Sequence, residues 1–199
     1  MWRQRLRGVI CSHGFSRWLK LYQMKKRYFF LFFLLLTILF RASIFRASVN
    51  YEPLGERNFT PLQTSPLTDT IDAWKLNHPD AAPEEWVEYA LKLTASTASF
   101  GIDESTGNPE QILAGRKANC VGYSRLFAAI IHRLDGGSQW LRQKILIGKI
   151  SLFGWDLHEF SNDPFWSNHD YNWLSDDHGE RLYLVDPTLY DYTRIKYLE

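Results

Sequence analysis

A cysteine, a histidine and an aspartate stand in that order at Cys120, His169 and Asp186. A thiol, an imidazole and a carboxylate make a nucleophile, a general base and a group that orients the base, provided the fold brings them together. The local sequence supports the first of these roles. Asn119 is a good helix N-cap, Leu126, Phe127, Ile130, Ile131 and Leu134 follow at helical spacing, and Gly136-Gly137 is a stop signal. The pattern predicts a helix over 120–134 with Cys120 in its first turn. Unsatisfied N–H groups and the positive end of the helix dipole favour a thiolate there, and Arg116 and Lys117 add to the effect if the preceding loop folds back. Position alone does not decide the matter, because a lone cysteine is more often a small buried hydrophobe.

The other two residues belong to a predicted hairpin. Segments 169–174 and 181–186 are rich in aromatic and aliphatic residues and flank the polar turn Ser175-Asp176-Asp177-His178-Gly179-Glu180. Pairing Ser175 with Glu180 sets His169 directly opposite Asp186, with Tyr171 opposite Leu184 and Trp173 opposite Leu182 on the same face. Directly opposed residues hold their Cβ atoms about 4.5–5.5 Å apart, close enough for a carboxylate to accept an imidazole N–H. A slip of one residue would set His169 against Val185 or Pro187 and separate the pair. Pro187, with no ladder donor, ends the second strand.

Three motifs resemble those of the transglutaminase-like superfamily: Asn119-Cys120-Val121-Gly122-Tyr123-Ser124, His169 followed three residues later by Asn172, and Tyr183-Leu184-Val185-Asp186-Pro187-Thr188. The resemblance covers about 85–192. It implies an α+β, papain-like core in which a cysteine-bearing helix packs on an antiparallel sheet that carries the histidine and aspartate. By that resemblance Cys120 is the nucleophile, His169 the general base and acid, and Asp186 the orienting carboxylate. Asp170 and Tyr171 depart from the alanine and tryptophan that usually follow the histidine. The backbone N–H of Cys120 is a natural first oxyanion donor. Gln111 is a side-chain candidate for the second, although it reads more simply as a surface residue.

The elements around these residues are strongly asymmetric in charge. Ten of the 23 lysines and arginines precede Glu52, the first acidic residue, which leaves 13 against 22 acidic residues in the remainder. An acidic body excludes nucleic acid as its natural partner. Residues 1–27 form a basic tail ahead of the uncharged apolar run 28–40, which extends to Phe45 if Arg41 is tolerated. Thirteen residues reach only about 20 Å as a helix against a roughly 30 Å hydrocarbon core, whereas 28–45 nearly crosses it with arginines snorkelling. No clean pair of small residues follows the run, so an uncleaved signal anchor is expected rather than a cleaved signal, with an organellar presequence as a third reading. The positive-inside rule then places the tail in the cytoplasm and the C-terminal domain across the membrane, periplasmic or extracellular. Cys11 and Cys120 fall on opposite sides, leaving Cys120 as a free thiol.

Residues 46–67, with Pro53, Pro61 and Pro66, read as a linker, and 68–199 as one domain. Helices are expected from Thr68 to about Asn77 and from Pro83 to about Ala98, a loop over 100–115, and a strand over 144–153. Trp155 and Trp166, with Tyr171 on the next strand, are candidates for a substrate-binding rim. His158-Glu159 invites a metal reading, but zinc peptidase spacing would need a histidine where Asn162 stands, so neither metal nor cofactor is expected. The expected activity is that of a membrane-tethered thiol hydrolase or acyltransferase on amide bonds of a protein or peptide. The alternative is a catalytically idle module of the same fold that binds peptide or cell-wall material.

Overall fold

The computed structural model describes residues 28–102, 108–136, 141–160 and 167–199. The chain divides into two compact units, Met1–Ile44 and Phe45–Glu199. In the first, the apolar run forms helix α1 (Tyr28–Leu39), whose large side chains are exposed from Tyr28 at 67% to Leu39 at 66%. Helix α2 (Arg41–Ser48) follows at a bend of 71°. The expected continuous span over 28–45 is therefore interrupted at Phe40, and Arg41 opens the new helix with its guanidinium donating back to the Ile38 carbonyl at 3.3 Å. Among the described residues no single helix is long and apolar enough to cross a membrane, although α1 and α2 together meet the test by length and composition.

The second unit is α+β. Strand β1 (Val49–Arg57) is followed by helices α3 (Pro66–Asn77) and α4 (Pro83–Thr97), and short strand β2 (Ser99–Phe100) by helix α5 (Pro109–Gly115). Strand β3 (Lys117–Ala118) pairs in parallel with β2 and leads directly into helix α6 (Cys120–Asp135). Strands β4 (Arg142–Leu152), β5 (Trp155–Asp156), β6 (His169–Ser175) and β7 (Arg181–Val185) follow, then helix α7 (Pro187–Thr193). The main sheet is antiparallel in the order β1-β4-β6-β7, with β5 folded back on the end of β4.

Local chemistry explains the helix starts. Pro66 and Pro83 occupy first-turn positions where a missing N–H costs nothing, while Thr68 and Glu85 accept the N–H groups of Ser65 and Ala82 at 2.9 Å. Asn119 caps α6 by accepting the Gly122 N–H at 3.2 Å, and Gly136 ends it in the left-handed conformation that glycine adopts freely. One face of the sheet packs on α6. Leu126, Phe127, Ile130, Ile131 and Leu134 of α6 are fully buried in a core with Ile71, Leu91, Ile112, Leu174 and Val185. A smaller cluster of Leu146, Tyr171, Leu184 and Leu198 covers the other face.

Three expectations need correction. Residues 46–67 are not simply a linker, because Val49–Arg57 runs along β4 from Val49↔Leu152 to Arg57↔Ile145. Pro53 fits because β1 is the edge strand, and the register shifts between Pro53 and Gly55. The compact unit consequently begins well before residue 68. The expected loop over 100–115 contains α5, capped by Asn108 accepting the Glu110 N–H at 3.0 Å. Finally, the β6–β7 register differs by two where Trp173 pairs with Leu184 and Leu174 with Tyr183, and by only one at Ser175↔Arg181, next to the turn.

Candidate active site

A two-residue shift keeps every side chain on its original face, since the strand period is two. His169 and Asp186 therefore meet diagonally instead of directly. The His169 Nε2 to Asp186 Oδ2 distance is 2.7 Å, and the side chains are 16% and 2% exposed. Asp186 also caps α7, its Oδ1 accepting the Leu189 N–H at 3.0 Å. Pro187, read as a strand terminator, is the first residue of that helix. One carboxylate thus starts a helix with one oxygen and holds the imidazole with the other.

The Cys120 thiol lies close enough to the His169 ring to help raise its pKa. Because Nε2 is taken by Asp186, the nitrogen left for sulfur is Nδ1. Cys120 is the first residue of α6 and 7% exposed, and helix geometry leaves its backbone N–H without an intrahelical acceptor. Ser124, one turn along the helix, fixes this end of α6 to the histidine strand. Its hydroxyl donates to the Asp170 carbonyl at 2.9 Å, and its own carbonyl accepts the Asn172 side-chain N–H at 3.0 Å. Tyr123, fully buried, donates to Asp191 of α7 at 2.7 Å and so ties the cysteine helix to the helix that Asp186 caps.

The electrostatics follow from this packing. Burial by itself would push His169 down, but the Asp186 charge and hydrogen bond, aided by Cys120, carry it up to about 10. Burial would raise Asp186, yet the His169 charge, the Leu189 N–H and the Tyr51 hydroxyl hold it below the usual carboxylate value. Both shifts favour an imidazolium–carboxylate pair at neutral pH. Tyr51 donates its hydroxyl to Asp186 Oδ2 at 2.9 Å, and burial together with the Asp186 charge keeps it protonated by raising its own value well above normal. The sequence does not single out Tyr51, because its neighbouring prolines make 46–67 read as a linker. The alternation of Val49, Tyr51 and Pro53 with polar Asn50 and Glu52 was the available signal.

Asp170, one of the two departures from the resembled motif, has a structural role. It is fully buried and paired with Arg57 of β1 at 2.7 and 3.3 Å, directly beside the histidine. Tyr171, the other departure, is 1% exposed and packs edge-on against Tyr51 at 4.9 Å, so it is a core residue and not part of a substrate rim. Trp155 is 73% exposed at the start of β5, and Trp166 lies outside the described residues. Gln111 is exposed on α5; Arg116 is the left-handed C-cap of α5 and Lys117 pairs with Ser99, both exposed. The His158 ring accepts the Ile150 N–H at 2.9 Å, and among the described residues no three histidine, cysteine or acidic side chains cluster as metal ligands would.

Among the described residues, a surface cleft of about 570 Å³ runs along β1, β4 and β6 past Leu54, Glu56, Lys144, Leu146 and Trp173. Another, smaller cleft lies by Pro61, His132 and Arg133, and neither of these is lined by Cys120, His169 or Asp186. No family model matches the chain, and comparison with curated proteins and with solved structures returns no match.

Proposed function

We propose that the protein is a thiol-dependent acyl-transfer enzyme of transglutaminase-like type, acting on amide or related acyl bonds of a protein or peptide. The carrying observation is that Asp186 holds His169 at 2.7 Å while Cys120, at the start of α6, lies close enough to help raise the pKa of the same ring. His169 holds the thiol proton as an imidazolium. The thiolate attacks the carbonyl carbon, forming a C–S bond, and the oxyanion develops against the Cys120 N–H. His169 gives its proton to the leaving amine as the C–N bond breaks, leaving a thioester. Water or a second amine, deprotonated by His169, then attacks the thioester and frees the thiol. Asp186 stays ionised throughout and steadies the imidazolium.

The same proposal makes α1 and α2 a membrane anchor. Its support is a run of large apolar side chains more than 45% exposed from Tyr28 to Leu35, behind a leader with eight basic and no acidic residues. The C-terminal unit then lies on the far side from the basic tail.

One observation favours a second reading. Cys120 is only 7% exposed, as it would be in an idle module that keeps the fold to bind peptide. Incubating the full chain, as a Cys11→Ser variant, with an activated peptidyl ester separates the two. The enzyme reading expects a burst of released alcohol and an acyl adduct on Cys120, absent in Cys120→Ala. Peptide binding with no adduct and no burst would overturn it.

A further inference from the structure

The turn between β4 and β5 is a two-residue hairpin loop, Phe153-Gly154, with φ of 51° and 82°. Both residues lie in the left-handed region of a type I′ turn, which glycine and asparagine occupy with little strain and a bulky aromatic does not. Phe153 is nevertheless 74% exposed, so its ring gains nothing from the fold in return. Trp155 beside it is 73% exposed, and Leu152 and Leu157 are 37% and 38% exposed. Four large apolar side chains thus cluster at one hairpin tip.

The tip is held firmly. Lys149 bonds Asp156 at 2.6 Å, Asp156 accepts the His158 N–H at 2.8 Å, and His158 accepts the Ile150 N–H. Its location is equally defined, because the Phe153 N–H donates to the Ser48 carbonyl at 2.7 Å. Ser48 is the last residue of α2, which begins at Arg41 immediately after the apolar run. At the helical rise, the eight residues of α2 amount to only about 12 Å of chain.

We infer that the Leu152-Phe153-Gly154-Trp155 tip is an interfacial foot that rests in the headgroup region of the bilayer holding α1. Exposed tryptophan and phenylalanine are the side chains that favour that depth, and the chain that follows the apolar run carries the basic residues Arg41 and Arg46. His169 pairs with Gly148, only four residues of β4 from Leu152, or about 13 Å of strand. The relay therefore sits at the membrane-facing end of the sheet, and its substrate class is an acyl or amide bond carried by a membrane-associated peptide or protein.

This inference rests on the anchor reading, and the test separates them. The full chain is reconstituted in phosphatidylcholine–phosphatidylglycerol vesicles with p-benzoylphenylalanine placed singly at Phe153, at Trp155 or, as control, at Leu76, which is 81% exposed on α3. Vesicle flotation reports the anchor and photo-crosslinking to lipid reports the foot. Flotation of all three, with several-fold more lipid adduct at 153 and 155 than at 76, supports the inference. Flotation with adducts no greater than the control overturns the foot and leaves the anchor standing. Failure of the full chain to float overturns both.

Discussion

Asp186 is asked to satisfy three donors at once: the His169 ring, the Tyr51 hydroxyl and the Leu189 N–H. Tyr51 is a positioning residue, since it acts on the histidine through the carboxylate. Tyr51→Phe keeps the ring packed on Tyr171 and deletes one hydrogen bond to a charged acceptor. The expected loss is about 2 kcal/mol of stability in urea denaturation, with slower but measurable Cys120 alkylation. Unchanged stability and alkylation would show that the hydroxyl is not holding Asp186. Asp170 gives a sharper contrast, because Arg57→Ala leaves a fully buried carboxylate without its partner. That change is expected to cost about 3 kcal/mol, while Arg57→Met combined with Asp170→Leu recovers most of it. The same denaturation series checks both.

Strand β1 brings Tyr51 and Arg57 to the site, and its docking depends on close approach at Gly148. A Cβ there would lie 2.5 Å from the Glu52 carbonyl and 2.7 Å from the Tyr171 ring. Gly148→Ala must therefore push the edge strand away from β4, at an expected cost of about 2 kcal/mol and with slowed alkylation as Tyr51 withdraws; equal melting of the two chains would contradict this. Elements marked by strong local chemistry were legible in the sequence. The Asn119 cap and the apolar period placed α6 to within a residue, and β4, β6 and β7 were placed to within two. The register was not legible, because the turn holds an extra bulged residue that polar composition does not reveal. The contact between His169 and Asp186 survived because the error was an even number of residues. Strand β1 was lost to its prolines, whose permissive edge position is a tertiary fact, and Tyr171 was lost because one residue carries no mark of which sheet face is covered.

For the whole molecule, the relay ties stability to pH. His169 is raised from 6.5 to about 10 on folding, so its contribution is complete below pH 6.5 and disappears as pH rises through about 10. Asp186 is lowered from 3.8, so its contribution is present above that value and is lost as pH falls through the folded one. The pair contributes most between about pH 4 and 6.5. Urea midpoints are expected to decline from that window towards pH 10 in the parent chain and to change less in His169→Gln. A parallel decline in both would assign the effect to other groups.

The most direct test of the relay is the rate of iodoacetamide alkylation at Cys120 across pH in the full chain with Cys11→Ser, against His169→Ala and Asp186→Asn. Alkylation that stays fast into mildly acidic solution in the parent chain, and loses that acidic plateau in both variants, is the predicted result. A profile like that of a free thiol, or no reaction, unaltered by either substitution, would contradict the account.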